Sequence, residues 1–297
     1  MPQTSAIKPN WVSQFPLFWI NLNRQLQRRQ RMQWAINNGG WHASRWPAID
    51  ANSPREHFLA LPRLWQQGAD LPGLARNKET EAKRRTNRNE LACLSSWQIL
   101  IENLKQQPSP SGWFLLMEDD LGACLACPEA WPHGLNEIAA QAGPNACAIQ
   151  LAPINARIRS HLHDLWANSQ GQTLVVPKQA VRSHGNGAVL LHQRALPQLQ
   201  RHLGRWLNRR FPHHHLLSHP KNIRPVADKW LYGCLPAESS WVSTYPLFCL
   251  EAEESNLHAD HVQAFHQPSR AITLQIWEQD QHTKLLAADK YWREQSP

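Results

Sequence analysis

The stretch FLLMEDDLGAC, residues 114–124, decides how the chain reads. Four apolar residues run directly into three adjacent acids, Glu118, Asp119 and Asp120. A short apolar run after the breaker-rich segment 108–112 reads as a strand buried on both faces. Three like charges at its end repel one another and resist burial. A bound cation, a helix cap and an ordinary solvated turn each account for them. Side chains alternate along an extended chain, so persisting strand geometry sends Glu118 and Asp120 one way and Asp119 the other.

Working outward, Phe18-Trp19-Ile20 reads as another short buried strand. Asn23 is placed to cap a helix running to about Asn37, which Gly39-Gly40 stops. RWPAID (45–50) is a further strand leading into a long, Pro-rich, basic loop over 52–86. Asn87-Arg88-Asn89-Glu90 has capping-box spacing. Behind it Leu91, Leu94, Trp97, Ile101 and Leu104 recur at helical spacing. Strands are expected over 146–151, 173–176 and 187–192. An amphipathic helix is expected over 194–210, with Leu196, Leu199, Leu203 and Trp206 on one face. Alternating buried strands and helices predict an α/β fold with a mainly parallel central sheet. The expected organisation is a loose tail over 1–13, one domain over 14–266 and a peripheral segment over 267–297.

Composition narrows the function classes. The chain has 297 residues, 42% hydrophobic and 18% charged, a globular balance and not a disordered one. Its net charge of +8 favours anionic partners: phosphates, nucleic acid or an acidic membrane surface. Six dispersed cysteines are too thin for a disulfide scaffold and fit a reducing compartment. The first residues lack the shape of a signal peptide, and no apolar stretch approaches membrane-spanning length. The expectation is a cytoplasmic protein, with peripheral contact at the anionic inner membrane face allowed by its charge. Fifteen tryptophans read mainly as packing, although aromatic faces also stack on sugars and bases.

In open α/β sheets, ligands bind beyond the carboxyl ends of the strands, where the acidic triplet lies. One or two of its carboxylates are then available to a hard divalent cation, Mn²⁺ or Mg²⁺, which takes oxygen ligands and neutralises a departing diphosphate. Cys124 and Cys127 form a CxxC without a second pair, so packing is favoured over zinc. His213, His214, His215 and His219 read as a solvated loop, with His258 a remote choice to complete a cation site. Lys83-Arg84-Arg85 and Arg88 could meet an anionic acceptor or membrane, or simply be solvated.

Six segments together resemble glycosyltransferase family 25, the lipooligosaccharide-type galactosyltransferases and their collagen-modifying relatives. They are FWINLNRQLQRRQRM (18–32), RWPAID (45–50), NELACLSSWQILIENL (89–104), FLLMEDDL (114–121), GNGAVLLHQRALPQL (185–199) and PVADKW (225–230). The resemblance implies a GT-A-like nucleotide-diphospho-sugar transferase fold, a UDP-sugar donor, a Mn²⁺-type cation and transfer with inversion. It makes Asp120 the main metal ligand, with Glu118 assisting or meeting the donor. Asp228 becomes the general base for an acceptor hydroxyl, or alternatively a helix N-cap. Asn23, Arg24, Arg28 and Glu90 become donor-binding residues, with Arg29 a further arginine at the same strand-to-helix junction; the alternatives are a solvated basic helix face for the arginines and a capping-box role alone for Glu90. The departures are Ser95-Ser96 for the family's Ser-His, Asn23 for its Asp, and Val189 or Leu190 for its Tyr. The expected function is transfer of a hexose, galactose by resemblance, to a glycan or glycolipid. The alternatives are a degenerate relative that binds glycans or nucleotide-sugars without turnover, and a nucleic-acid-binding protein. The last has no motif to support it, so no nucleic-acid partner is expected.

Overall fold

The computed structural model describes residues 8–52, 88–201, 226–251 and 261–294. The 52–86 loop beyond Asn52, the basic run Lys83-Arg84-Arg85, the histidines at 213–215, 219 and 258, and the second half of the expected 194–210 helix lie outside them.

The centre is a seven-stranded mixed sheet: β1 (Leu17–Asn21), β2 (Ala43–Pro47), β3 (Trp113–Glu118), β4 (Ala148–Gln150), β5 (Val175–Pro177), β6 (Ala188–His192) and β7 (Ser240–Ser243). Their spatial order is β2-β1-β3-β6-β4-β7-β5. β1 runs parallel to β2 and β3, and β4 parallel to β7. β6 is antiparallel to both β3 and β4, and β5 is antiparallel to β7. The sheet is therefore mixed, and the mainly parallel pairing predicted from the sequence holds in part. Five strands share a direction, but the antiparallel β6 is wedged into the middle.

Alternation along the strands assigns the two faces. Leu17 and Trp19 of β1 and Leu115 and Met117 of β3 point to one layer. Helices α1 (Leu26–Gly39), α7 (Gln267–Gln279) and α8 (Thr283–Glu294) meet them there with Met32, Trp277 and Trp292. Phe18, Ile20, Phe114 and Leu116 point to the other layer. There α2 (Arg88–Leu104), α5 (Leu196–Arg201) and α6 (Ala227–Gly233) present Trp97, Leu199 and Trp230. Burial on both faces explains why β1 and β3 read as continuous apolar runs. Helices α3 (Leu135–Ala142) and α4 (Ala156–Asn168) are the remaining α-helices among the described residues.

Two expectations are corrected here. Helix α1 begins at Leu26 with Gln25 at its N-cap position, not at Asn23. Asn23 is instead held in the preceding turn, its carbonyl accepting from Arg29 and its Oδ1 from Arg45. The segment from Gln267 is not peripheral, because Trp277 and Trp292 are fully buried beneath β1 and β3. The turn after the acids also depends on this packing. A Cβ at Gly122 would stand 2.3 Å from Met32 Sδ and 2.9 Å from Trp292 Cη2, so only glycine fits.

Candidate functional site

The acids end β3 and open a cleft at the carboxyl edge of the β1–β3 pair. Strand geometry stops at Glu118, so the predicted alternation does not carry through to Asp120. Glu118 faces α2, accepting from the Trp97 indole N–H at 3.0 Å and the Cys93 thiol at 3.7 Å. Asp119 turns toward β1 and α1. It accepts from Asn21 Nδ2 at 2.6 Å and Arg28 Nη1 at 3.2 Å. Asp120 falls on the Arg28 side as well, 3.9 Å from the same nitrogen, and does not pair off with Glu118.

Arg28 is the hub of this corner. It lies 8% exposed among Asp119, Asp120 and Glu251, the last 3.4 Å from its Nε. Burial alone would lower its pKa, but Asp120, Asp119 and Glu251 outweigh that and raise it, fixing the positive charge. Arg31 pairs with Glu251 at 2.6 Å and extends the network. Burial raises the pKa of all three acids. Glu118 reaches about 7, with Asp120's charge as the second cause and the Trp97 hydrogen bond opposing.

Two lobes make up the cleft. The first encloses about 200 Å³ and is lined by the acids, Arg24 and Arg28, Ser96 and Trp97, and His266. The second encloses about 310 Å³ and holds Glu90, His184, Asp228, Lys229 and Phe265. Cys93, Ile154, Gly185, Asn186 and His261 line both and form the wall between them. Three polar atoms on the first lobe are buried with no hydrogen-bond partner among the described residues: Asp120 Oδ1, Asn186 Nδ2 and His266 Nδ1. Buried polar atoms are ordinarily paired, so these three are free to take a water or a ligand as partner.

The antiparallel β6 completes the wall. Because it runs opposite to β3, the segment that leads into it lies at the edge where β3 ends. Glu118 N–H donates to Gly187 O at 2.8 Å across that edge. Gly185 adopts φ 95°, and a Cβ there would lie 2.7 Å from Ile154 Cγ2. Its N–H donates to Asp228 Oδ2 at 3.1 Å, tying the segment to α6.

The predicted residues are thus divided. Glu118, Asp120, Arg24 and Arg28 line the first lobe, while Glu90 and Asp228 line the second. Asp228 is not an N-cap: Val226 holds that position, and Asp228 sits in the first turn with Oδ1 accepting from Lys229 N–H at 2.8 Å. Arg24 is committed to Asp50 at 2.7 Å on the rim. Asn23 and Arg29 line neither lobe. Val189 and Leu190 are fully buried on opposite faces of β6, so neither stands in for a site tyrosine. Ser96 lines the first lobe, but its hydroxyl already donates to Ala92 O at 2.7 Å and accepts from Ile49 N–H at 2.9 Å. Cys124 and Cys127 are buried, Cys124 within the core beside β3 and α1.

Asn186, His266, Cys93 and Phe265 were not foreseen. The glycines flanking Asn186 were the available signal, since a G-N-G run before an apolar strand marks a close backbone approach. His266 had no local signal, as only the docking of the segment before α7 brings it to the lobe that Asp120 lines. Among the described residues no group of three or more His, Cys, Asp or Glu is arranged to hold a metal by itself. No described helix is long and apolar enough to cross a membrane. No protein-family model, curated protein or solved structure matches the chain.

Proposed function

We propose that the cleft transfers a hexose from a UDP-sugar to a hydroxyl of a glycan or glycolipid, on a GT-A-like fold, with inversion. One observation carries the reading. All six segments that resemble family 25 contribute residues to the cleft: Arg28, Asp50, Cys93, Asp120, Asn186 and Asp228 come from one segment each. Such convergence supports the reading, because the resemblance then lies where a ligand would bind.

In this reading the first lobe takes the donor and the second the acceptor. Arg28 offers fixed positive charge, and Trp97 an aromatic wall. Phe265, 36% exposed on the second lobe, offers a face on which a sugar ring stacks. Asp228 takes the proton from the acceptor hydroxyl as that oxygen attacks the anomeric carbon. The bond from that carbon to the diphosphate breaks on the opposite side, and UDP carries away the electron pair. The Gly185 and Lys229 N–H groups hold the Asp228 carboxylate by one hydrogen bond to each oxygen, leaving each a free lone pair.

The orphaned Asp120 Oδ1 and His266 Nδ1 fit a divalent cation of the Mn²⁺ or Mg²⁺ type. Burial lowers the pKa of His266, which keeps its imidazole in the neutral, ligating form. Hard cations of this class often take one or two protein ligands and complete their shell with water and substrate phosphate. When bound, such an ion would neutralise charge on the leaving diphosphate. Glu118, turned to α2, is better placed to meet the donor than to share the ion. Thermal stabilisation by UDP-hexoses in the presence of Mn²⁺ is the expected outcome, absent in Asp120→Ala. No stabilisation of the native chain by any nucleotide-sugar defeats the reading.

The engaged Ser96 hydroxyl favours one second reading, a relative that binds nucleotide-sugars without turnover. It predicts the same stabilisation but no release of UDP, even by slow hydrolysis.

A further inference from the structure

Beneath the second lobe lies a lysine that touches neither cavity. Lys178 begins the short turn Lys178–Ala180 after β5 and is 0% exposed. Its ammonium donates to Gln150 Oε1 at 2.6 Å and to Ser183 O and Oγ at 2.9 Å each. It also sits 4.1 Å over the Tyr232 ring of α6. No carboxylate of the described residues pairs with it. A buried ammonium without a counter-ion is costly, so its partners indicate what it secures. None of them lines a lobe, but Gln150 and Ser183 hold the wall between the lobes from behind. Ser183 starts segment 183–187, and Gln150 Nε2 donates to His184 O at 2.8 Å and Gly185 O at 2.5 Å. Gly185 in turn holds Asp228.

We propose that Lys178 is a positioning residue, its buried amino group pinning segment 183–187 against β4 and α6 so that Asn186 faces the first lobe and Asp228 the second. The pinning is independent of what the cleft binds; its consequence for group transfer rests on the donor-and-acceptor reading.

The titratable groups that face Lys178 are Tyr232 and Asp228 from α6 and His184 from the segment itself. Burial pushes the Lys178 ammonium down to about 7, with Asp228 partly opposing. Opening the segment to water returns the amine to its ordinary value near 10.5, so opening takes up a proton above pH 7. The pinned state therefore gains on the open one as pH rises through 7. His184 is lowered by burial from 6.5, and its own titration is over before this window begins.

Hydrogen exchange of the full chain from pH 7.5 to 9 (roughly the window between the two values) reads the segment directly, once corrected for intrinsic exchange. In the native protein the opening constant for 183–187 is expected to fall about tenfold per pH unit. In Lys178→Met it is flat with pH. Ser183→Ala removes one of the three acceptors, so it opens more readily but keeps the slope. A flat native profile, or a slope that survives Lys178→Met, overturns the proposal; should Lys178→Met fail to fold, the native profile decides alone. UDP-hexose titration on the same samples separates the two readings. The slope without UDP-hexose binding supports the pinning and overturns the transferase.

Discussion

The two lobes are built on opposite electrostatic plans. The first is a knot of buried charge in which Arg28 compensates Asp119, Asp120 and Glu251. The second holds its one central acid, Asp228, with backbone N–H groups from Gly185 and Lys229 and lies on a wall fixed by a single buried lysine. A charge knot is costly to build and more costly to break, because each partner removed leaves the others uncompensated. A lobe made of backbone contacts depends instead on chain geometry, and fails by strain.

That contrast orders the expected effects. Arg28→Met leaves buried Asp119 and Asp120 without their cation, Glu251 keeping Arg31, and should lower stability by about 3–5 kcal/mol in urea unfolding. Arg24→Ala, whose partner Asp50 lies at the rim, should cost under about 1 kcal/mol. A small loss in Arg28→Met would break the comparison at its root. Next, Gly185→Ala forces a side chain into φ 95° and against Ile154, with an expected cost of about 1–3 kcal/mol. The same substitution should disturb the second lobe first, visible as lost hydrogen-exchange protection around Asp228 before any change near Arg28.

A third effect is a pH dependence. Glu118 is raised from 4.5 to about 7 in the folded chain, so the native state holds its proton more tightly than the unfolded one. Its contribution to stability is full below pH 4.5 and is lost as pH rises through 7. Glu118→Gln keeps the hydrogen bonds and removes the titration. The native-minus-variant stability difference should then drift by about 1–3 kcal/mol between pH 4.5 and 7.5 in paired urea titrations. A drift of the opposite sign would mean that the folded chain favours the Glu118 carboxylate over its acid. The smallest effect is expected at Asn23, which lines neither lobe. Asn23→Ala should leave nucleotide-sugar affinity unchanged within about twofold and stability within about 0.5 kcal/mol.

The same contrast explains what the sequence made legible. The first lobe could be read because its residues adjoin in the chain or follow a buried strand directly. Apolar runs located β1 and β3, and the rule that ligands lie beyond strand ends located the acids. The facing of Asp120 was missed because the strand stops two residues short of it, so alternation does not reach it. The second lobe was legible only at Asp228 and Glu90. Its wall exists because β6 runs antiparallel, and pairing direction leaves no local mark in a strand buried on both faces, such as AVLLH (188–192). Lys178 carried no sequence signal either, since a lysine in a short polar turn is ordinarily solvated. The C-terminal tryptophans were passed over as peripheral for the same reason: their stripes are recognisable, but their partners lie two hundred residues away.

The central claim is that the first lobe receives a nucleotide diphosphate sugar at Asp120. Calorimetric titration of the native chain with a panel of UDP-hexoses, with and without Mn²⁺, tests it most directly. The account predicts Mn²⁺-dependent binding that weakens at least about tenfold in Asp120→Ala, the loss of roughly 1.4 kcal/mol expected for a direct ligand. No binding by the native chain, or metal-dependent binding of equal strength in Asp120→Ala, would contradict it.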